Sequence, residues 1–432
     1  MAMKDLLCCA AVAALTLVSC VYPFEPRIET SDSRIVVEGS ISIGGTSMFD
    51  IARVIPFSAK PQEVKPLEMT GYIEGEDGSR IEAYKSGWED PAPEKPLHGG
   101  YYVEGLTRTV VTGPYFRASC KMYFDTSLAS PSQRYRVHLE DRMTAAVYET
   151  DWIEVCPRPV IDELRYILDR ERSELNVALS MHSDTDSHFR WYYDETWEYH
   201  SDLWASHYLY PELMFNDSTG EYQPWMALFE FSNGQNTYYC WNTFHSPQIK
   251  IFSTSEQTDN RFTDLEFHRV RSDNRKLQIL YKLTVHLEAI SENAYRYWQN
   301  IENNTNNQGS IFSPVPSQMT GNIHCISDPS SEVIGYISAA QAVEAEMYYD
   351  NHQEQFYNGP DTDWRSIVIE EFNDPYYFAH WYSRGYLPYT VIPPEMGDGG
   401  GPLYQWTKAE CVDCTRLGGT KEKPNGWPND HR

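Results

Sequence analysis

Three groups of residues have the types and spacing to do chemistry. Asp194, Glu195 and Glu198 stand close together in the aromatic, acidic stretch 189–199. Paired carboxylates serve glycoside hydrolysis, one as acid and the other as base or nucleophile. On an extended segment Asp194 and Glu198 share a face and Glu195 points the other way; charge on an exposed sheet face is the commoner role for such residues. His182, Asp184, Asp186 and His188 alternate along the chain, so on a strand they would project together and converge on a metal. The same Ser-rich stretch also has the composition of a solvated turn capped by its own Asp side chains, and it lacks the Gly of an EF-hand loop. Asp361 and Asp363, beside Pro360, form a similar, weaker pair. Cys411 and Cys414 have redox-motif spacing but sit in a Gly/Pro-rich tail rather than opening a helix after a strand. GxSxG, Walker, GxGxxG and HExxH patterns do not occur, nor does zinc Cys/His spacing. The reading is therefore of no catalytic residues, no metal and no cofactor.

A fourth group is covalent. Lys4 begins a positive n-region, residues 6–18 are largely apolar, and the run ends at Leu17-Val18-Ser19-Cys20. The run is too short to span a bilayer, which takes about 20 helical residues. Leu17 to Cys20 look like a bacterial lipobox, in which the Cys thiol takes a diacylglycerol and the chain is cut before it. An ordinary secretory peptide with a chance Cys is the alternative. Acyl chains on Cys20 would anchor the chain stably, at about 0.8 kcal/mol per buried CH₂.

Of the 9 Cys, Cys8 and Cys9 leave with the signal and Cys20 carries the lipid. Cys120, Cys156, Cys240, Cys325, Cys411 and Cys414 remain, an even set in an exported protein, so disulfides are expected. Two ties from the tail, Cys411 and Cys414, back to Cys240 and Cys325 are the favoured arrangement. The chain carries 35 Lys plus Arg against 62 Asp plus Glu, a net charge of -27, which repels phosphate backbones and excludes nucleic acid as a partner. With 41% hydrophobic residues the chain can bury a sizeable core.

The elements that must position these residues read as strands. Residues 34–43 alternate with Val37, Ile41 and Ile43 on one face; residues 69–84 read as a hairpin turning at Glu76-Asp77-Gly78. Residues 115–124, 134–139 and 145–155 continue the series, and Pro157 and Pro159 mark a linker. Residues 277–287 alternate strongly, and Ser291 caps one helix with Ala294, Trp298 and Ile301 along a face. Residues 203–234 form a long excursion whose Trp204, Tyr208, Tyr210 and Trp225 offer an aromatic, ligand- or partner-facing surface. Trp191, Trp197 and Trp298 are expected in the core.

The expected fold is mainly β: two β-sandwich domains with one short α-helix near 291–303. The expected divisions are a signal peptide 1–19, a tether 20–33, an N-terminal sandwich 34–156 and a C-terminal β-rich domain 160–432 with a Cys-containing tail.

Several stretches together carry a resemblance: Tyr239-Cys240-Trp241, residues 291–298, Gly321-Asn322-Ile323-His324-Cys325, and residues 333–338. To these add Cys411 and Cys414 followed by Gly418-Gly419-Thr420 and Lys423-Pro424, and residues 35–39. In combination they resemble the domain of unknown function 4249 family, outer-membrane lipoproteins of Bacteroidota, over nearly all of the chain after Cys20. The resemblance implies an immunoglobulin- or transthyretin-like N-terminal part and brings no catalytic residues. It also implies a surface accessory role beside a TonB-dependent transporter. The expectation is thus a non-enzymatic protein, lipid-anchored in the outer membrane and exposed at the cell surface, that captures a glycan or peptide substrate with that transporter. The alternatives are a structural or adhesion lipoprotein, and a glycan- or peptide-processing hydrolase using Asp194 and Glu198.

Overall fold

The computed structural model describes residues 34–55, 66–87, 118–185, 187–216, 221–230, 237–246, 250–257, 259–306, 321–359, 369–372, 375–393 and 403–428. Residues 1–33, which include Cys20 and the expected signal peptide and tether, and Asp186, Asp361 and Asp363 lie outside the described residues. The first body comprises β1 (Ile35–Ser42), β2 (Thr46–Arg53), β3 (Met69–Gly75), β4 (Arg80–Gly87), β5 (Ser119–Asp125), β6 (Tyr135–Asp141) and β7 (Ala146–Thr150). Period-2 alternation points Ile35, Val37 and Ile41, Phe49 and Ile51, and Tyr135, Val137 and Leu139 into one core. The strand β4 changes partner midway. Its Glu82 and Ile81 pair with β3, and from Ala83 onward, past a register shift, it pairs with β5. Such a bulged corner strand folds the two halves of the sheet over the shared core. The expected turn joins β3 to β4, with Gly78 at φ 85°. A buried ion pair, Arg53 Nη2 to Asp141 Oδ2 at 2.5 Å, links β2 to the end of β6.

Past β8 (Val155–Cys156) and the two prolines, β9 (Val160–Asp169), β10 (Glu174–His182) and the 13-residue β11 (His188–His200) open a second body. Next, β12 (His207–Asn216) and β13 (Glu221–Glu230) form a separate ribbon, before β14 (Tyr239–His245), β15 (Lys250–Ser253), β16 (Arg261–Arg271) and β17 (Leu280–Ala289) rejoin the body. Helix α1 (Glu292–Asn306) follows, with Ser291 Oγ accepting from the Ala294 amide at 3.2 Å, the cap its hydroxyl predicts. Then come β18 (Ile323–Cys325), β19 (Ile334–Gly335), β20 (Ser338–Ala340) and β21 (Val343–Asp350). The second sandwich packs the sheet β16-β10-β9 against β14-β11-β17-β21, with β15 beside the start of β11. Between them lie Leu175, Val177, Leu179 and Met181 of one sheet and Leu283, Val285 and Leu287 of the other.

The chain path differs from the expected division at 34–156 and 160–432. Residues 321–340 return to the first body: β18 adds antiparallel to β7, β19 and β20 add parallel to β1, and β20 also pairs with β8. Ile323, Cys325, Val333, Ile337 and Ala339 complete the first core. Two glycines allow this return. A Cβ on Gly335, at φ +146°, would sit 2.1 Å from the Val37 carbonyl oxygen, and one on Gly321 would sit 1.6 Å from the Gly335 carbonyl oxygen.

Among the described residues three shorter helices, which the sequence reading does not include, follow β21: α2 (Asn351–Glu354), α3 (Pro375–Tyr382) and α4 (Ala409–Val412). Pro375 opens α3 at the helix position that needs no amide donor. A further, smaller sheet has the order β22 (Ile369–Phe372), β24 (Leu403–Lys408), β23 (Tyr386–Ile392), and its core is Phe378, Tyr404 and Trp406. It meets the root of the β12–β13 ribbon, where the Ser206 amide donates to the Tyr389 carbonyl at 2.9 Å. The fold is mainly β, and among the described residues no helix is long and apolar enough to cross a membrane.

Candidate functional site

The strand β11 carries most of the candidate residues, and its alternation sorts them. Phe189, Trp191, Tyr193, Glu195, Trp197 and Tyr199 face the sandwich interior or its rim; Arg190, Tyr192, Asp194, Thr196 and Glu198 occupy the opposite face. Glu195 is 1% exposed and is reached by three donors from outside β11. Lys276 Nζ donates at 2.6 Å, the Tyr281 hydroxyl donates at 2.7 Å, and His268 Nε2 lies at 2.9 Å. Tyr193 Oη in turn meets His268 Nδ1 at 3.1 Å, and the Lys276 ammonium sits over the Trp197 ring at 4.9 Å. Burial pushes the Glu195 carboxyl up, yet the His268 hydrogen bond and the charges of His268 and Lys276 outweigh it, holding the group at about 2. Burial first, then the adjacent Glu195 charge, raises the Tyr281 phenol well above its ordinary value. The cluster is an ionised clasp between the two sheets.

On the opposite face Asp194 bridges two imidazoles, with Oδ1 2.8 Å from His245 Nδ1 and Oδ2 3.0 Å from His286 Nε2. Glu344 Oε1 takes the other side of His286 at 2.9 Å, and the Tyr192 ring stacks on it at 4.4 Å. Burial would lower the His286 value, but the Asp194 hydrogen bond and the Glu344 charge prevail and raise it. Further along, Glu198 is 0% exposed and accepts from the Trp427 indole at 3.0 Å. Four residues of strand, about 13 Å of backbone, separate Asp194 from Glu198. The two do not share one open cleft: Asp194 is partly solvated between two imidazoles, while Glu198 is sealed. Glu198 is also no surface charge: the C-terminal tail covers it.

The alternating His/Asp motif is likewise dispersed. His182 Nδ1 binds Asp162 at 2.8 Å, Asp184 is exposed in a bend, and His188 begins β11 beside Ser187 and Tyr295. Among the described residues no group of three or more His, Cys, Asp or Glu is placed to hold a metal ion.

The far end of β11 is tied to the tail. Cys240 bonds Cys414 across a sequence separation of 174. The second expected tie does not form: Cys325 is a free thiol buried in the first core, and Cys411 is a free thiol buried within α4. Cys325 is held away from the tail because β18 carries it to β7, opposite Tyr148. The Leu203 amide donates to the Cys411 carbonyl at 2.8 Å, the Cys414 amide to the Thr237 carbonyl at 2.9 Å, and Trp241 bridges Thr420. Burial raises the Cys411 thiol, so it is a poor nucleophile.

This bracket supports an aromatic platform. Trp204 is 55% exposed, and its ring lies 5.1 Å from Tyr238; Tyr238 stacks on His200 at 4.8 Å and meets Tyr239 edge-on at 4.8 Å. Arg275 donates to Asp202 at 2.9 Å beneath it. Tyr208 is half-buried on β12, whose register sets Tyr210 opposite Ala227 and Glu212 opposite Trp225; the side chains of Tyr210 and Trp225 lie outside the described residues. Of the expected core tryptophans, Trp191 is buried, while Trp197 and Trp298 are half-buried.

His268, Lys276, Tyr281, His286, Glu344 and Trp427 are missing from the sequence reading of the site. Only Tyr281 and His286 left a trace, since they occupy the inward and outward phases of the alternating 277–287 stretch. No match to a curated protein is found. The family model described as Domain of unknown function (DUF4249) matches residues 21–346, so the chain belongs to that family.

Proposed function

We propose that the protein is a non-enzymatic, lipid-anchored accessory of the outer membrane, exposed at the cell surface, that captures a substrate for a TonB-dependent transporter. The observation that carries this reading is the platform at Trp204, a large exposed ring backed by Tyr238, Tyr239 and His200. Exposed aromatic side chains on a rigid base are favoured at partner-facing surfaces, because they bury much area while losing little conformational freedom. Here the base is rigid because the Cys240–Cys414 bond lies next to Tyr239. The Leu17-Val18-Ser19-Cys20 sequence supports the anchor. Co-purification from native membranes tests the partnership. A barrel transporter is expected to come down with the protein and to be lost from Trp204→Ala; recovery of the protein without any barrel overturns the reading. Intact mass spectrometry of the mature protein should show acyl mass on Cys20.

A further inference from the structure

At the opposite end of β11 from the platform, a cleft of about 630 Å³ opens between α1 and the segment joining β15 to β16. Its walls are Ser253, Ser255, Glu256 and Gln257 on one side and Tyr295 and Gln299 of α1 on the other, with His188 and Phe262 also lining it. Both walls are built in advance. Thr254, 0% exposed, anchors the loop through its amide to the Ser187 carbonyl at 2.8 Å and its hydroxyl to Asn260 Oδ1 at 3.1 Å. The helix is fixed by buried Ala294 and Tyr297, the latter 5.6 Å from the Tyr336 ring, and Tyr295 lies 4.7 Å from the His188 ring.

The lining selects a ligand by its chemistry. It contains two amides, two hydroxyls, a phenol, an imidazole and a carboxylate, and neither Lys nor Arg. An anionic ligand would meet Glu256 and a chain of net charge -27 with no cation to receive it. A purely apolar ligand would strand these polar groups without partners. A polyhydroxylated neutral molecule satisfies both demands: its hydroxyls pair with the amides and hydroxyls, and its C–H faces lie against Tyr295, Phe262 and His188. The volume falls within the range of small-molecule sites, about 300–1,000 Å³.

We propose that this cleft binds a neutral oligosaccharide. The inference rests on the capture half of the reading above and supplies its substrate class. The detergent-solubilised full chain is titrated with cellohexaose, xylohexaose and maltohexaose, with an oligogalacturonate as anionic counterpart and spermidine as cationic counterpart, and read by saturation-transfer NMR and calorimetry. At least one neutral hexasaccharide is expected to bind. Gln257→Ala combined with Gln299→Ala, both exposed and outside the core, should weaken that binding by about tenfold. Three outcomes overturn the proposal: no transfer from any neutral probe, tighter binding of oligogalacturonate or spermidine, or unchanged affinity in the double variant. Loss of saccharide binding would leave transporter co-purification intact, and loss of co-purification would leave saccharide binding intact, so the two failures are told apart.

Discussion

Asp194 and Glu195 are neighbours on one strand and both are held by histidine, but they face opposite sides of the sheet and live in different surroundings. Glu195 is sealed between two sheets, where three partners from β16, the 275–277 turn and β17 meet it. Asp194 keeps 26% of its side chain in contact with solvent, and one of its partners, His245, is 77% exposed. The contacts have similar lengths on the two sides. What differs is what happens when one is removed. Inside, the carboxylate is sealed and its partners Lys276 and His268 reach water with only 21% and 15% of their side chains; outside, Asp194 itself is partly solvated and His245 is largely so.

The largest effect should come from breaking the inner cluster. Glu195→Ala leaves Lys276 and His268 without their counter-charge and should cost about 3–5 kcal/mol in chemical denaturation. A loss no greater than that of Asp194→Asn would erase the contrast between the faces. Acid titration sharpens it. The folded value of Glu195, about 2, lies below the ordinary 4.5, so its contribution is full above pH 4.5 and fades as pH falls towards 2. The stability gap between the wild type and Glu195→Gln should therefore close over that window.

Glu198 separates burial from facing. It lies on the same face as Asp194 yet is sealed by Trp427, so Trp427→Phe, which removes one indole donor, should cost about 1–2 kcal/mol. Asp194→Asn comes last, at about 0.5–1 kcal/mol, measured by the same denaturation. Its histidine adds a pH dependence of its own. The folded value of His286 is raised above 6.5, so its contribution is present below that pH and is lost as pH rises through the raised value. His286→Gln should flatten the stability profile there.

How much of this was legible depended on whether the signal was local. The alternation through Leu283, Val285 and Leu287 declared a half-buried strand, and Ser291 declared a helix start, because period and capping act over a few residues. That Asp194 and Glu195 point to opposite faces followed from strand geometry alone; which of the two faces is inward did not. The burial of Glu198 did not, because its cover comes from Trp427, far along the chain. Cys325 read as a disulfide partner for the tail, yet the pairing of β18 with β7 places it in another body. Likewise, nothing near His268 or Lys276 announces a carboxylate on β11; only the stacking of two sheets brings them together.

The return of residues 321–340 to the first body has a consequence for how the molecule is made. A ribosome releases residues in order, so the N-terminal sandwich lacks β18, β19 and β20 until about three-quarters of the chain has emerged. Until then β1 and β7 carry unpaired edges, the state in which strands mispair with neighbours. Such a body must wait, unfinished and in need of protection, for a late piece of its own sequence. It should be a slow folder, and no fragment ending at Cys156 should settle into the shape it holds in the whole.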